Sequence, residues 1–258
     1  KPWTDTLDRF LAHTTDGDEV PGAFHMGLRL VGVDGTTFNV SNTPTVKATA
    51  QKTKTRKGEA AFYRLSCVAL VALASHRPLA VKIGSSGESE GALAEQLTNA
   101  LASDDLLIGD RYYGNGKWLG RLEALSSKPF YLLRVQERFG ARWIKTLTDG
   151  SKWVEVMDPQ SKEFLVVREI EARVKRPGNP WTEVRFWTNL LNEECFPATE
   201  LVALYALRWE QVDFENRSVT IDHAIKRADG GRPIGIGPTK TGNRRDMEMT
   251  DALVAALR

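Results

Sequence analysis

Cysteine and histidine are scarce in this chain, and neither forms a cluster. The two cysteines, Cys67 and Cys195, lie far apart, and the four histidines are scattered without any Cys-x-x-Cys pair. A structural zinc site, which needs several such ligands close together, is therefore not expected. Buried free thiols are expected rather than a disulfide, which is typical of a protein in a reducing cytoplasm.

Long hydrophobic runs are also missing. No apolar stretch reaches the roughly 18 residues that a membrane-spanning helix needs, and Lys1–Leu11 shows no signal-peptide pattern. The composition, 41% hydrophobic and 26% charged residues, is that of an ordinary globular protein. We therefore expect a cytoplasmic protein without a membrane partner, whose 258 residues bury one large core or two smaller ones.

The net charge of +2 supports no argument by itself, but the basic residues are grouped. One group lies in eleven residues without an acid, and a second lies near the end of the chain. Such groups bind polyanions, although a solvated flexible loop has the same composition. The first group is Lys47, Lys52, Lys54, Arg56 and Lys57; the second is Lys226, Arg227, Arg232, Lys240, Arg244 and Arg245.

Hydrophobic periodicity predicts a mixture of strands and helices. Leucines at 93, 97 and 101 predict a helix, with Ser85 and Glu88 as its capping box. A loop is predicted over Thr43–Gly58. Further helices are predicted at Lys117–Leu125 and from Pro197 to about Trp209. Strands are predicted at Leu28–Val33, Phe62–Ala74, Leu79–Ile83, Leu106–Ile108, Tyr131–Val135, Trp153–Met157, Phe164–Ile170, Glu183–Thr188 and Ser218–Ile221.

Two aspartates, Asp34 and Asp110, each follow an apolar strand directly. Reactive groups of open α/β sheets lie at strand ends. Two carboxylates about 4 Å apart repel by roughly 4 kcal/mol at an effective dielectric of 20. A divalent cation relieves this repulsion, so the pair favours Mg²⁺ or Mn²⁺. From spacing alone, turn-forming aspartates after strands are the favoured interpretation.

Four blocks in this order, VGVDGTTFNV, LLIGDRYYG, KTLTDGSKW and FWTNLLNEECFPATELVALYALRW, resemble the DDE transposases of the bacterial "insertion sequence four" family. The resemblance covers about residues 28–209. It implies an α/β fold with an RNase H-like mixed sheet, flanking helices and a β-rich insertion. It also implies that Asp34 and Asp110 are catalytic metal ligands for Mg²⁺ or Mn²⁺, with the basic Arg111 beside them.

The last family motif is incomplete in this chain. Tyr205 and Arg208 match its first two positions and share a helix face. The expected third carboxylate and the following lysine are replaced by Val212 and Val219. The resemblance therefore implies that catalysis is impaired.

Two neighbouring acids are poorly placed to substitute for that carboxylate. On a regular helix Glu210 lies about 200° and Asp213 about 100° away from position 212. Asp213 reaches the site only if the helix ends early.

The segment from Leu207 onward resembles the catalytic domain of phage-type tyrosine recombinases, with Lys240 at its hairpin lysine. The arginines, the His-x-x-Arg motif and the nucleophilic tyrosine of that family are missing. A surface hairpin lysine is therefore the favoured interpretation of Lys240. The chain is divided accordingly into an N-terminal remnant (1–27), a first part of the core (28–129), a β-rich insertion (130–190), a core helix (191–212) and a recombinase-like fragment (213–258).

The resemblance implies a transposase-derived protein of DNA transposition, with double-stranded DNA at transposon ends as its partner and a homodimer in a synaptic complex. Residues expected to contact DNA are Tyr205, Arg208, Arg111, Lys52, Lys54, Arg56 and Lys57. The alternatives are a DNA-binding remnant without catalysis and a fragment of a tyrosine recombinase.

Overall fold

The computed structural model divides into two compact units. The first contains residues up to Leu133 together with Met157–Leu165, and the second contains Arg134–Val156 and the chain from Val166. The residues described are 24–49, 52, 54–55, 58–75, 77–85, 88–174 and 182–207, with strands at 212–213, 218–221, 223–227, 233–238 and 245–248.

The first unit is built on a mixed sheet in the order β6-β5-β2-β7-β8. Strand β2 runs antiparallel to β5 and parallel to β7. The strands are β1 (Phe24–His25), β2 (Leu28–Val40), β3 (Lys54–Thr55), β4 (Gly58–Glu59), β5 (Tyr63–Ala72), β6 (Arg77–Ser85), β7 (Asp105–Gly114) and β8 (Phe130–Val135). A sheet with parallel and antiparallel pairs and helices beside it confirms the predicted α/β class.

Strands β2 and β7 lie in the middle of this strand order, and consecutive residues of each strand are buried because both faces of the sheet are covered there. Val31 and Val33 are fully buried in β2, as are Leu107 and Ile108 in β7. Such continuous apolar runs are typical of interior parallel strands. The sheet therefore holds the segments leading to Asp34 and Asp110 rigidly in its middle.

The described part of this unit contains the α-helices α1 (Pro44–Thr49), α2 (Glu90–Glu95) and α3 (Gly116–Glu123), and a 3-10 turn at Thr98–Ala100. Helix α3 begins where the side chain of Asn115 accepts a hydrogen bond from the Trp118 amide, 3.1 Å away. A side chain at Gly116 would overlap the carbonyl oxygen of Met157, so glycine is required for this close approach.

The second unit has strands in the order β12-β11-β10-β9. Its elements are β9 (Arg142–Thr146), β10 (Lys152–Met157), β11 (Phe164–Val174), β12 (Thr182–Thr188) and helix α4 (Ala198–Leu207). Leu201 and Leu204 of α4 are fully buried. The described part of residues 130–190 forms strands and no helix, as expected of a β-rich insertion.

Short strands make up the described part of the tail: β13 (Val212–Asp213), β14 (Ser218–Ile221), β15 (His223–Arg227), β16 (Pro233–Pro238) and β17 (Arg245–Glu248). Strand β14 pairs with β13 and β17, and β15 pairs with β16. The predicted strand at Ser218–Ile221 is confirmed. Lys240 and the predicted final helix lie outside the described residues.

Several predictions about elements need correction. Strands β2 and β7 do not end at Asp34 and Asp110 but continue to Val40 and Gly114. The capping box at Ser85 and Glu88 is wrong, because Ser85 belongs to β6 and the cap of α2 is Ser89. The predicted loop after Thr43 contains α1 and the β3–β4 hairpin, and β9 was not predicted.

Candidate active site

Asp34 and Asp110 lie on neighbouring parallel strands at matching positions. The register pairs Gly32 of β2 with Ile108 of β7, and each aspartate lies two residues farther along its strand. Neighbouring strands are about 4.8 Å apart, and residues two apart point to the same face of a sheet. The prediction that these aspartates belong to neighbouring strands of one sheet is confirmed.

Backbone amides orient both carboxylates. Oδ1 of Asp34 accepts a hydrogen bond from the Gly35 amide at 3.0 Å. Oδ1 of Asp110 accepts one from the Tyr112 amide at 2.8 Å. Asp34 is exposed and Asp110 is half-buried, so this part of the sheet presents acidic oxygens next to buried residues of the core.

A third acid, Glu90, lies beside them and was not predicted as a site residue. It is the first residue of α2, whose cap is the Ser89 hydroxyl, which accepts a hydrogen bond from the Ala92 amide at 3.2 Å. A Cβ built on Gly35 would come within 2.6 Å of Glu90 Cγ and 2.8 Å of its Oε2. The absence of a side chain at Gly35 therefore lets the Glu90 carboxylate lie against β2, one residue after Asp34.

Two tyrosines of β7 hold the start of α2. The Tyr113 hydroxyl donates a 2.7 Å hydrogen bond to Oε1 of Glu90. The Tyr112 hydroxyl accepts one from the Gly91 amide at 3.1 Å. Their rings meet edge to face, with centroids 5.3 Å apart.

The Tyr113 hydroxyl lies in the field of all three acids. Burial, the hydrogen bond to Glu90 and the charges of Glu90, Asp34 and Asp110 raise the pKa of Tyr113 well above its ordinary value. The phenol therefore remains a protonated donor throughout the physiological pH range.

In the sequence, Glu90 was marked only by the pair Ser89-Glu90 directly before the leucine repeat, where a helix begins.

Within the described residues, no group of three or more His, Cys, Asp or Glu side chains is arranged to hold a metal ion. Asp34 and Asp110 offer hard oxygen donors on adjacent strands, which suit Mg²⁺ or Mn²⁺ as a pair rather than as a complete cage.

The residues predicted to contact DNA lie on different elements, and not all of them belong to the described part of the chain. Arg111 is exposed on β7, directly after Asp110. Lys52 lies 5.5 Å from the ring centroid of Tyr63 and 3.7 Å from the Glu59 carboxylate. Lys54 belongs to β3, while Arg56 and Lys57 lie outside the described residues.

The last motif belongs to the second unit. Tyr205 of α4 is buried, with its ring centroid 4.7 Å from that of Phe186. Arg208 and Glu210 lie outside the described residues. Val212 is a strand residue that pairs directly with Val219, so the two positions that lack the expected carboxylate and lysine face each other across a ladder.

Both cysteines are free, as predicted, but only Cys67 is partly buried; Cys195 is exposed, which corrects the expected burial. Burial raises the pKa of Cys67. Among the described residues, no helix is long and apolar enough to cross a membrane.

Comparison with known proteins identifies relatives. Residues 26–210 match the model of the family described as the transposase DDE domain. The chain is 25% identical, over 188 residues, to the transposase InsG for insertion sequence element IS4 of Escherichia coli strain K12. That match covers 71% of this chain and 42% of the relative, so this chain spans less than half of the relative's length.

Among solved structures, endonuclease V from Bacillus subtilis aligns over 67% of this chain and 70% of its own, with 9% identity and a TM-score of 0.28. A similarity of that size carries no argument. The family match, in contrast, covers more than half of the chain and includes both aspartates and Glu90. This protein therefore belongs to the transposase DDE domain family and has its RNase H-like mixed α/β fold.

Proposed function

We propose that this chain derives from a transposase whose reaction is metal-dependent cleavage and strand transfer at transposon ends. The observation that carries the proposal is the matched placement of Asp34 and Asp110 on the parallel strands β2 and β7. The family match and the similarity to the transposase of an insertion sequence support the same reaction class.

Asp34 and Asp110 would hold Mg²⁺ or Mn²⁺. Such ions activate an attacking water or 3′-hydroxyl and stabilise the leaving oxygen in phosphodiester transfer. The protein's own contribution is orientation. The amides of Gly35 and Tyr112 fix one oxygen of each aspartate, and the protonated Tyr113 fixes Glu90 beside them.

Double-stranded DNA is the proposed partner, and a second copy of the chain would complete a synaptic complex. Arg111 and Arg208 suit phosphate because guanidinium offers a rigid fork of donors. Tyr205 is likewise proposed to position DNA phosphates. The basic residues Lys52, Lys54, Arg56 and Lys57 would contact the DNA backbone. No membrane partner is proposed, and the compartment would be the cytoplasm.

The proposed reaction is impaired in this chain. Val212 supplies no oxygen at the third-carboxylate position, and Val219 replaces the expected lysine. Loss of an essential ligand or charge-stabilising group typically costs several kcal/mol of transition-state stabilisation, or several powers of ten in rate.

The test is nicking of supercoiled DNA in the presence of Mn²⁺, with Asp110→Ala as the control. We expect absent or very weak nicking, even though the chain binds DNA. Robust nicking that Asp110→Ala abolishes would overturn the proposed impairment and confirm the reaction. An absence of both binding and nicking would overturn the proposed function.

A DNA-binding remnant without catalysis is the second candidate, and the pairing of Val212 with Val219 favours it. Neutralising about five phosphates gives a log–log salt slope of roughly −4 to −5. Replacing Lys52, Lys54, Arg56 and Lys57 with alanine should flatten that slope. An unchanged slope would exclude this segment from the DNA interface.

A tyrosine-recombinase origin of residues 213–258 remains a separate proposal. The β15–β16 hairpin precedes Lys240, as that origin requires. Without a nucleophilic tyrosine this segment forms no covalent link to DNA.

A further inference from the structure

A buried arginine in the second unit gathers partners from separate segments. The Arg168 side chain on β11 is fully buried and forms an ion pair with Asp149. Its guanidinium donates to Ser151 Oγ at 2.8 Å, to the Leu190 carbonyl at 3.2 Å and to the Phe196 carbonyl at 2.6 Å. A buried charge requires such partners, because an unpaired one is costly.

Asp149, in the turn between β9 and β10, extends this network to helix α4. Its Oδ1 accepts hydrogen bonds from the Ser151 amide at 3.0 Å and the Ser151 hydroxyl at 2.6 Å. Its Oδ2 binds Arg168 and also accepts a 3.0 Å hydrogen bond from the amide of Ala198, the first residue of α4. A carboxylate 49 residues away in the chain therefore caps this helix.

The same turn contacts the segment that leads into the helix. The Asp149 amide donates to Oε2 of Glu193 at 3.2 Å. Arg168 and Asp149 thus join a turn, a strand and the approach to α4 around one neutralised pair of charges. Helix α4 is ten residues long, about 15 Å, and transmits the position of its first turn to its last.

We propose that Asp149 and Arg168 are positioning residues, which fix the start of α4 and thereby set the position of Tyr205 and of the helix end at Leu207, directly before Arg208 in the sequence. This inference rests on the proposed function, because Tyr205 and Arg208 are the residues proposed to contact DNA near the cut. Neither Asp149 nor Arg168 needs to touch the DNA.

Amide hydrogen exchange tests the anchoring without DNA. Asp149→Ala should accelerate exchange in α4 by at least about tenfold, because the helix loses its cap. Asp149→Asn, which keeps an acceptor for the Ala198 amide, should restore part of the protection. Glu171→Ala is the matched control, since it removes an exposed acid of the same unit whose partner is Lys152. Equal protection of α4 in all three variants would overturn the proposal.

A double-mutant cycle separates positioning from general stability. In salt titrations of DNA binding, Asp149→Ala should reduce the slope by about one phosphate contact. In an Arg208→Ala background it should cause no further reduction. Equal losses in both backgrounds would show that Asp149 acts only on the fold and would overturn its role through Arg208. If Asp149→Ala does not fold, the same cycle is run with Asp149→Asn.

Failure of the proposed function gives a different result. A wild-type chain that binds no DNA at low salt would overturn that function, and hydrogen exchange would still decide whether the network fixes α4.

Discussion

Acidic side chains have different partners in the two units: other acids lie nearby in the first, and a cation and hydrogen-bond donors lie nearby in the second. In the first unit Glu90, Asp34 and Asp110 all act on the Tyr113 hydroxyl and raise its pKa. In the second unit, burial alone would raise the pKa of Asp149, but hydrogen bonds from Ser151 and Ala198 and the charge of Arg168 lower it. Negative charge thus accumulates around Asp34 and Asp110 of β2 and β7, whereas it is neutralised at the start of α4.

This difference separates two uses of a carboxylate. An ion pair formed by a buried arginine gives the fold a fixed geometry, which is the role inferred for Asp149 and Arg168. Acids that accumulate on neighbouring strands are favourable only when a cation or proton compensates them. The free energy of unfolding should therefore change most when the Asp149–Arg168 pair is broken. The acids of the first unit should instead respond to divalent ions.

The largest expected effect comes from breaking the neutral pair. Arg168→Met should lower the free energy of unfolding by about 3–5 kcal/mol, because it leaves the acceptors Ser151, Leu190 and Phe196 without their donor, at about 1–3 kcal/mol for each buried acceptor. Urea denaturation measures this loss. Lys152→Met, which removes a surface pair with Glu171, serves as the control and should cost less than about 1 kcal/mol. Similar losses in the two variants would contradict the comparison.

The second-largest effect should come from a divalent cation that binds the acids of the first unit and stabilises the fold. Mn²⁺ at about one hundred times its dissociation constant should add about 2.7 kcal/mol to the free energy of unfolding. Asp110→Ala should abolish that gain, while Glu95→Ala, an acid paired with Lys117, should leave it intact. The melting temperature with and without Mn²⁺ provides the measurement, and an equal gain in Asp110→Ala would contradict the assignment.

Removing the tyrosine hydroxyl should have a smaller effect. Tyr113→Phe deletes the 2.7 Å hydrogen bond to Glu90 and should cost roughly 1.5 kcal/mol, the lower end for hydrogen bonds to charged groups, because Glu90 is half-buried. Chemical denaturation measures this cost, with Tyr63→Phe as a comparison at a partly exposed tyrosine. A cost equal to that of Tyr63→Phe would show that the bond contributes little.

The smallest effect is the pH dependence of Asp149. Its pKa is lowered in the folded state, so its stabilisation is complete above the unfolded value of about 3.9 and is lost as pH falls through the folded value. The difference in melting temperature between the wild type and Asp149→Asn should therefore shrink below about pH 4. A constant difference down to pH 2 would show that the carboxylate's charge does not contribute.

Local patterns predicted the central strands but not their full lengths. Leu28–Val33 was recognisable because its residues are apolar, yet β2 continues through Asp34-Gly35, since it pairs with β5 as far as Val40. The pattern alone favoured a turn at Asp-Gly. The edge strand β9 was not predicted because its sequence, RWIKT, does not alternate between polar and apolar residues, and all five residues are at least partly exposed.

Candidate site residues could be predicted only where a family motif or a preceding apolar run marked them, as for Asp34 and Asp110, although neither residue ends its strand. Glu90 meets Tyr113 across 23 residues, and Asp149 meets Ala198 across 49, so both contacts depend on chain folding rather than on spacing. Long-range ion pairs such as Asp149–Arg168 leave no periodic pattern in a sequence.

The pairing of Val212 with Val219 determines what a mutation at either position can restore. Both positions lie in one two-stranded ladder, so a single codon change to glutamate would create a carboxylate on a strand, opposite a valine. For the proposed reaction, one such point mutation would therefore still leave Val219 in place of the expected lysine.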